Sequence, residues 1–451
     1  MMNRIALAIG LVFALAPVSV CGLCAAQPPH DPSPQADEQQ LPDAMRSAMT
    51  DLPRITVGRE NADLIGSDHR VLQAAVDYIA GLGGGTVEIG PGEYLMRDSL
   101  HLRSGVTVRG QAGATRLRKA PSVASPLALD GDFGEEQVTV EDAAGFDVGC
   151  GVAIWDDRAG GFHTTVARIT GRRGKTFSID TPLMADCMVQ NNALAATVFP
   201  VISGRDIQDA RLEQIVVLGN REENAPLNGC RGAGIYLYRG HRTRIKGCEV
   251  HGYHGDGISF QQSNDVTVEN CVSVANAQLG LHPGSGSQRP VIRGCTARDN
   301  GTDGLFLCWR VRHGLFEDNL LEANGRYGIS IGHKDSDNLL QRNRAAENAG
   351  EGIYFRNESL GMAAHRNRLV ENTIENNGAA APSPGIRIRG ATNDLVLEGN
   401  TIRDTRDPSH RTQTVGILIE PQVGPLTLRD NTIEAAVAIE DGRDSGPSNR
   451  K

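Results

Sequence analysis

The chain has 451 residues, of which 39% are hydrophobic and only 4% aromatic, and it contains 53 glycines. Its formal net charge of −9 argues against a general nucleic-acid-binding function, which requires a basic surface. A chain of this length is long enough for two or three domains, unless internal repeats build one continuous core.

The first 26 residues have the pattern of a secretory signal peptide. Arg4 precedes an apolar run from Ile5 to Val20, and small residues follow as far as Ala26. The run is too short to span a bilayer together with its flanks, so we expect a secreted or periplasmic protein without a transmembrane segment. Residues 27–56 are rich in Pro, Gln and Asp, which predicts a flexible linker.

A helix is predicted near the start of the folded domain, which we place at residues 57–440. Ser67 or Asp68 is the expected N-cap, and the helix should end at Gly81. Its apolar residues share one face, as expected of a helix that covers the open end of a larger core. These residues are Val71, Leu72, Ala75, Val76 and Ile79.

A short sequence unit repeats through the centre of the chain, at steps of 23 or 24 residues. Each unit contains runs of four or five residues that alternate apolar and polar between turns, which indicates short β-strands. One coil per unit predicts a solenoid of parallel strands. The positions that mark the repeat are Gly234, Gly257, Gly280, Gly304, Gly328 and Gly352, together with Asn276, Asn300, Asn324 and Asn348.

These repeats resemble those of right-handed parallel β-helix proteins of the pectin-lyase-like superfamily, over roughly residues 68–440. The phrases GDGISF, TDGLFL, RYGISI and GEGIYF carry the resemblance. It implies an all-β fold, a single-stranded right-handed parallel β-helix (a solenoid) with the N-terminal helix as its cap. Residues 120–200 break the repeat with strand-like pairs around glycine turns, which predicts a lateral β insertion. We expect residues 441–451 to form a disordered tail.

The alternation within each repeat predicts which side chains point outward. Residues one and three positions after the repeat glycine are mostly apolar and should face inward. The outward positions and the adjoining turns collect charged and aromatic residues within about five rungs, or roughly 20 Å. The substrate-binding candidates are Asp256, Phe306, Trp309, His333, Glu351, Tyr354 and Arg356, and the catalytic candidates are His282, Asp303, Arg310, Tyr327 and Lys334.

Within the superfamily, the sequence most resembles alginate C5-epimerases and related polyuronate lyases. Their motif is a Gly-apolar-Asp-Pro-His strand with a basic residue on the next rung. The corresponding phrase here is GLHPG at residues 280–284, and the next rung ends with CWR at residues 308–310. The proline register matches, whereas His282 occupies the aspartate position and Gly284 the histidine position. The resemblance implies an acidic polysaccharide as the partner.

Epimerases and lyases both begin by removing the C5 proton beside a uronate carboxylate, whose charge must be neutralised. We predict that His282 is the base and that Tyr327 is the acid. Arg310 and Lys334 are expected to neutralise the carboxylate. Ordinary solvated surface residues would account for the same side chains.

Two other classes of function remain open. An inverting hydrolase would pair Asp256 with Asp303, or Asp303 with Glu351, because each pair is two rungs or about 9.6 Å apart. That separation is close to the roughly 6.5–9.5 Å of inverting glycosidases. A non-catalytic polysaccharide-binding protein would instead have an aromatic groove without shifted pKa values. The sequence does not predict an oligomeric state.

No cofactor is required by these chemistries, although calcium is an alternative at residues 335–338, which read DSDN. A polar turn explains that run equally well. Seven cysteines follow the signal sequence, and Cys248, Cys271 and Cys295 share one repeat position. Stacked free thiols that act as small apolar side chains explain this position better than disulfides or a metal site.

Overall fold

The computed structural model describes residues 51–445. The predicted signal peptide and residues 27–50 of the predicted linker lie outside this range. None of the helices within the described range is long and apolar enough to cross a membrane.

One α-helix, five short 3-10 helices and 41 strands form the regular structure of residues 51–445. The helices are α1 (His69–Gly81) and the 3-10 segments Gly161–His163, Val189–Asn191, Arg221–Glu223, Pro408–His410 and Gly442–Ser445. The strands before the insertion are β1 (Arg54–Gly58), β2 (Leu64–Ile65), β3 (Gly85–Ile89), β4 (Gly92–Met96), β5 (Leu100–His101), β6 (Val106–Arg109) and β7 (Thr115–Lys119). Those of the insertion are β8 (Ala124–Pro126), β9 (Gln137–Thr139), β10 (Gly151–Trp155), β11 (Thr165–Arg173), β12 (Thr176–Ile179) and β13 (Leu194–Ala196).

The remaining strands follow the repeat. The first of them are β14 (Ile202–Gln208), β15 (Arg211–Glu213), β16 (Val216–Leu218), β17 (Ala233–His241), β18 (Arg244–Lys246), β19 (Glu249–His251), β20 (Asp256–Gln261), β21 (Thr267–Glu269), β22 (Val272–Val274), β23 (Leu281–Gly284), β24 (Val291–Arg293), β25 (Thr296–Arg298), β26 (Leu305–Phe306), β27 (Leu315–Glu317) and β28 (Leu320–Glu322). The last are β29 (Ile329–Ile331), β30 (Leu339–Gln341), β31 (Arg344–Ala346), β32 (Ile353–Phe355), β33 (Arg368–Val370), β34 (Thr373–Glu375), β35 (Ile386–Ile388), β36 (Leu395–Glu398), β37 (Thr401–Arg403), β38 (Val415–Ile419), β39 (Leu426–Arg429), β40 (Thr432–Glu434) and β41 (Val437–Asp441).

Three long sheets run the length of the solenoid. The first has 13 strands, β2-β1-β3-β6-β15-β18-β21-β24-β27-β30-β33-β36-β39, and the second has 11, β4-β7-β16-β19-β22-β25-β28-β31-β34-β37-β40. The third also has 11, β41-β38-β35-β32-β29-β26-β23-β20-β17-β14-β5. Neighbouring strands in each are parallel and come from successive coils. The predicted right-handed parallel β-helix is confirmed.

The interior of the solenoid is one apolar core with buried amide ladders at its turns. The core runs from Ile55 to Val423. In one ladder, Asn300 Nδ2 donates to Asn324 Oδ1 at 3.0 Å, and Asn324 repeats the contact with Asn348 at 3.0 Å. Each amide also donates to a backbone carbonyl, so these buried polar groups are satisfied. The repeating asparagines are therefore structural.

Helix α1 covers the N-terminal end of the core, as predicted. Asp68 is its N-cap and accepts a hydrogen bond from the backbone N–H of Arg70 at 2.9 Å. The helix buries the predicted apolar face, in which Val71 is only partly buried. The buried residues are His69, Leu72, Ala75, Val76 and Ile79.

The folded region extends further than predicted at both ends. Strand β1 begins at Arg54, which pairs with Thr86, so the last residues of the predicted linker are part of the first sheet. Asp441 pairs with Ile419, and a 3-10 helix follows as far as Ser445. The predicted tail is therefore ordered up to residue 445.

The predicted lateral insertion is confirmed as a six-stranded sheet, β8-β13-β10-β11-β12-β9, whose neighbours are antiparallel. It has its own apolar core, in which the rings of Phe146 and Phe177 stack with centroids 5.2 Å apart. The insertion lies against the first rungs of the third sheet, where Arg168 and Ser203 line one cavity. The predicted cysteine stack is confirmed as well, because Cys248, Cys271 and Cys295 are buried free thiols.

Candidate functional site

The outward face of the third sheet aligns its side chains in two files, because parallel strands in register stack equivalent residues about 4.8 Å apart. One file pairs Ser259 with His282 and continues on later rungs through Phe306, Ser330 and Tyr354. The other contains Gln261, Gly284, Cys308, Gly332 and Arg356. Most of the predicted site residues on strands therefore share one face.

Two glycines leave room for large neighbours in the second file. A Cβ at Gly284 would lie 2.5 Å from Oε1 of Gln261, and one at Gly332 would lie 2.5 Å from Nε of Arg356. The side chains of Gln261 and Arg356 therefore bend into the space above these glycines. The alternation of Gly284, Cys308 and Gly332 at equivalent repeat positions is visible in the sequence. Which large side chains fill the space above the glycines depends on the neighbouring rungs.

Asp256 and His282 form a buried pair on adjacent strands. Nδ1 of His282 lies 2.6 Å from Oδ2 of Asp256, and the other carboxylate oxygen accepts the backbone N–H of Leu279 at 3.1 Å. Burial disfavours the charged imidazole, but Asp256 and the neighbouring Cys308 outweigh it and raise the pKa of His282 to about 10. His282 is therefore protonated at neutral pH. As an imidazolium it cannot itself accept a proton.

Gln261 completes the surroundings of His282. Its amide Nε2 donates to Ser259 Oγ at 2.9 Å and lies 3.4 Å from Nε2 of His282. Its Oε1 is buried and has no hydrogen-bond partner within residues 51–445. Rotating the amide by 180° brings this oxygen towards the second N–H of the imidazolium. Both ring nitrogens of a protonated His282 would then have acceptors.

Cys308 is a second reactive group of this face and was not among the predicted catalytic residues. It is free and buried, and it lies among Cys230, His282 and His333. Cys230 lowers the pKa of Cys308 most, burial opposes that change, and the two histidines lower it further, to well below its usual range. Both shifts favour a thiolate at Cys308 beside an imidazolium at His282, a combination called here the thiolate–imidazolium pair. The sequence signal for Cys308 was its outward position between the two glycines.

A covering loop, residues 227–231, explains why this cluster is buried rather than open to solvent as the sequence predicted. The carbonyl of Gly229 accepts a hydrogen bond from Ser259 Oγ at 2.7 Å, and a Cβ at Gly229 would lie 1.6 Å from Oδ2 of Asp256. Tyr236 holds the next residue, since its hydroxyl donates to the Cys230 carbonyl at 2.7 Å. Only glycine allows the loop to approach Asp256 so closely.

The other predicted carboxylates of the face are also engaged. Both oxygens of Asp303 accept from Arg326, at 2.7 and 2.8 Å, and burial raises the pKa of Asp303 although Arg326 opposes that change. Glu351 is buried 3.4 Å from a guanidinium nitrogen of Arg387. The pairs considered for a hydrolase therefore consist of carboxylates that already bind cationic or backbone groups.

Aromatic rings line the part of the face beyond Phe306. Tyr327 and Tyr354 stack with centroids 4.2 Å apart, and Arg389 donates to the Tyr354 hydroxyl at 2.7 Å. Burial, and then Tyr354, raise the pKa of Tyr327 to about 12. Its phenol therefore stays protonated at neutral pH, and it is a weaker acid than an ordinary tyrosine.

Arg356 connects Phe306 with a buried carboxylate. Its guanidinium lies 4.4 Å from the Phe306 ring centroid and donates to Asp335 at 2.9 Å and to Ser330 Oγ at 2.9 Å. Burial raises the pKa of Asp335 to about 7 in spite of Arg356. This arginine is therefore held in place by the fold.

The rim of the face is formed by two stacked turns with left-handed residues at equivalent positions. Arg310 has a φ of 69° and Lys334 a φ of 67°, and the Arg310 N–H donates to the carbonyl of His333 at 2.9 Å. Trp309 is 41% exposed beside them, and His333 lies 2.7 Å from Glu358. In the described part of the chain, neither Arg310 nor Lys334 forms an ion pair.

The run at residues 335–338 does not offer free ligands for calcium. Asp335 accepts from Arg356 and from two backbone N–H groups, and both oxygens of Asp337 accept from Arg366. The amide of Asn338 belongs to a buried ladder. Among residues 51–445, no group of three or more His, Cys, Asp or Glu side chains is arranged to hold a metal ion.

The fold and this face define a right-handed parallel β-helix protein with a polar and aromatic outward surface. The family model described as right handed beta helix region matches residues 185–310 and 233–382. Mannuronan C5-epimerase AlgE5 of Azotobacter vinelandii is 29% identical over 135 residues, which are 30% of this chain and 13% of the relative. AlgE2 of the same organism is 30% identical over 107 residues, or 24% of this chain and 11% of the relative. The resemblance seen in the repeats is confirmed.

Solved structures share the fold over most of both chains. The A-module of the A. vinelandii mannuronan C-5 epimerase AlgE4 has a TM-score of 0.52 and 17% identity, and the match covers 83% of this chain and 94% of the module. The Dettilon tailspike protein has a TM-score of 0.55 and 13% identity, over 84% of this chain and 62% of the tailspike. At such identities the likeness concerns the fold alone.

Proposed function

We propose that this protein binds an acidic polysaccharide along the outward face of the third sheet and removes the C5 proton of a uronate unit, as a lyase or an epimerase does. One observation carries the proposal. Arg310 and Lys334 lie on two stacked turns, the first of which follows Cys308 and contains Trp309. Neither cation has an ion-pair partner in residues 51–445. The local similarity to mannuronan C5-epimerases supports the choice of substrate class.

Binding is assigned to the rings and the unpaired cations of the face. Trp309, Tyr327 and Tyr354 offer apolar surfaces on which sugar rings can pack. Arg310 and Lys334 offer charge to the carboxylates of the polymer, and a guanidinium can bind a carboxylate through two parallel hydrogen bonds. A chain of acidic sugars would thus find stacking surfaces and cations side by side.

Proton transfer is assigned to the thiolate–imidazolium pair. Removal of a C5 proton requires a base, and the developing negative charge requires a neutralised carboxylate. Cys308 is the ionised member of the pair, so we assign proton acceptance to its Sγ. His282, the expected base, carries a proton at neutral pH, so we assign to it protonation of the leaving O4 in a lyase reaction. In an epimerase reaction, Tyr327 would return a proton to the opposite face of C5.

The test is incubation of the purified, reduced protein with alginate, pectate and glycosaminoglycans. A lyase gives the ultraviolet absorbance of an unsaturated uronate, and an epimerase gives deuterium incorporation at C5 by NMR. Both signals should disappear in Cys308→Ser and in His282→Gln, and they should persist in Cys187→Ala, which changes a buried thiol of the insertion core. Full activity of Cys308→Ser would overturn the assignment of the base.

A second candidate, binding without catalysis, is favoured by one observation. His282 and Cys308 are only 3% and 6% exposed beneath the covering loop. This candidate expects polymer binding that weakens in Arg310→Ala and Lys334→Ala, is unchanged in Cys308→Ser, and comes without any C5 exchange. Release of new reducing ends without an unsaturated product would instead indicate a hydrolase.

A further inference from the structure

A second cluster of reactive side chains lies at the N-terminal end of the third sheet. Strands β5 and β14 pair in parallel, with His101 directly opposite Ser203. Ser203 Oγ lies 3.0 Å from Nδ1 of His101, and Nε2 of the same ring lies 3.0 Å from Oδ2 of Asp98. A serine, a histidine and an aspartate are thus joined in one line of hydrogen bonds.

The contact with Asp98 decides how the cluster is protonated. A carboxylate only accepts hydrogen bonds, so Nε2 must carry the proton that it shares with Asp98. In the neutral ring, Nδ1 then has a free lone pair and accepts the hydroxyl hydrogen of Ser203. This is the arrangement in which a histidine can act as the base for a serine nucleophile.

The cluster is held firmly and opens to a cavity. Gln73 fixes the backbone of His101, since its Oε1 accepts the His101 N–H at 2.8 Å and its Nε2 donates to the carbonyl at 3.2 Å. Asp98 is only 4% exposed, whereas Ser203 and His101 are partly exposed. All three line a cavity of about 310 Å³ between the third sheet and the insertion.

The cavity has more cationic than anionic side chains in its lining. Four arginines and two aspartates, Asp98 and Asp180, line it. Arg103 pairs with Asp77, and Arg168 pairs with Asp180 and, at 3.9 Å, with Asp98. In the described part of the chain, Arg205 and Arg231 form no ion pair. Arg205 follows Ser203 by two residues on the same strand, so both project from the outward face of the third sheet. Arg231 donates to the carbonyl of Phe162 at 2.6 Å, and Arg205 lies 5.7 Å from the Tyr238 ring centroid, so neither charge is balanced by a carboxylate of residues 51–445. Two such guanidinium groups beside a serine favour a substrate that carries a carboxylate.

We propose that Ser203, His101 and Asp98 form a serine esterase site that removes O-acyl groups from an acidic sugar. Ser203 Oγ attacks the ester carbonyl while its proton moves to Nδ1 of His101. The bond from the acyl carbon to the sugar oxygen then breaks, and that oxygen takes the proton from His101. Water, activated by the same histidine, hydrolyses the acyl-serine and releases the carboxylic acid. The overall reaction consumes one ester and one water, and it needs no other reactant.

This site is distinct from the Cys308 cluster. Four rungs separate β14 from Cys308 on the rung of β26, or about 19 Å along the axis, because each rung adds about 4.8 Å. Both sites lie on the third sheet, so a polymer that runs along this face would meet one after the other. Ester hydrolysis at Ser203 does not require C5 chemistry at Cys308.

The test measures acetate release from an O-acetylated polyuronate and hydrolysis of p-nitrophenyl acetate. We expect Ser203→Ala and His101→Gln each to reduce acetate release by about 10³-fold or more, the scale of losses in serine triads. Ser104→Ala, which changes an exposed serine after β5, should keep full activity. Arg205→Ala should raise KM for the acidic ester.

A covalent label gives a second measurement that is independent of the natural substrate. A fluorophosphonate probe should modify Ser203, identified by peptide mass, and the label should be lost in His101→Gln while thermal unfolding of that variant is unchanged. Absence of both labelling and acetate release in the wild-type protein would overturn the proposal. Acetate release that survives in Ser203→Ala would overturn it equally. A missing unsaturated uronate signal would affect only the C5 proposal.

Discussion

Asp256 and His282 lie on adjacent strands of the third sheet with their side-chain atoms 2.6 Å apart, and both are buried from solvent. Asp256 and Cys308 raise the pKa of His282, which favours a charged imidazole inside the protein. Burying a charged imidazole costs desolvation free energy. The side chains of Asp256 and Cys308 offset that cost, so it is offset only while the aspartate, the histidine and the cysteine are all present.

Removing the charge of Asp256 should therefore destabilise the protein strongly. We expect Asp256→Asn to lower the free energy of unfolding by about 3–5 kcal/mol, because a buried charge loses its partner. The control is Asp265→Asn, which breaks an exposed pair with Arg289 and should cost about 0–1 kcal/mol. Urea unfolding monitored by circular dichroism measures both. Equal effects of the two variants would contradict a charged pair at His282.

The thiolate of Cys308 should be visible in the ultraviolet spectrum. Because the pKa of Cys308 is lowered in the folded protein, we expect the absorbance of one thiolate to persist when the pH falls below the usual range of a free cysteine, about pH 8.5. Cys308→Ser should remove this absorbance, and His282→Gln should shift its titration towards higher pH. A wild-type protein that loses the absorbance near pH 8 would contradict the thiolate–imidazolium pair.

Lys119 should make the stability depend on pH above neutrality. Its ammonium is buried where β7 ends and donates to the carbonyls of Ala120 and Thr197 at 2.8 and 3.0 Å. Burial, the main cause, lowers the pKa of Lys119 from 10.5 to about 7. Between these values the unfolded chain binds more protons than the folded one, so stability rises with pH.

We expect a slope from this residue of up to about 1.4 kcal/mol per pH unit between pH 7 and pH 10.5. The free-energy cost of burying the charged Lys119 ammonium is fully present below pH 7 and disappears as the pH approaches 10.5. Lys119→Met should remove this contribution, which denaturant unfolding at several pH values would detect. The variant Lys246→Met, on a strand of the first sheet, serves as the control with an exposed lysine. An unchanged slope in Lys119→Met would contradict the lowered pKa.

A methyl group at Gly332 should displace the side chain of Arg356, which lies over this glycine. Its Cβ would lie 2.5 Å from Nε of Arg356, which would have to leave Asp335. We expect Gly332→Ala to cost about 1–3 kcal/mol of stability, as overpacking commonly does. Gly361→Ala is the matched control, because a Cβ there meets nothing within 4 Å. Thermal unfolding of both variants measures the difference, and equal melting temperatures would contradict this packing.

Much of the molecule could be predicted from local order in the sequence. The 24-residue step of the repeat glycines specifies how one rung stacks on the next, and the two-residue alternation specifies which side chains point outward. The cap helix and the insertion followed from a helical period and from a break in the repeat. For the same reason the sequence alone places His282, Phe306, Tyr327 and Tyr354 on one face.

The tertiary structure decided the chemistry of the two sites. Cys230 reaches Cys308 only because the covering loop folds back over the third sheet, and Ser203 reaches His101 across an insertion that separates them by 102 residues. Protonation also depends on the fold, since burial and partners together set the pKa of His282, Cys308 and Lys119. A repeat predicts contacts between neighbouring rungs. Loops and insertions outside the repeat have no fixed spacing, so the contacts that they make appear only in the folded chain.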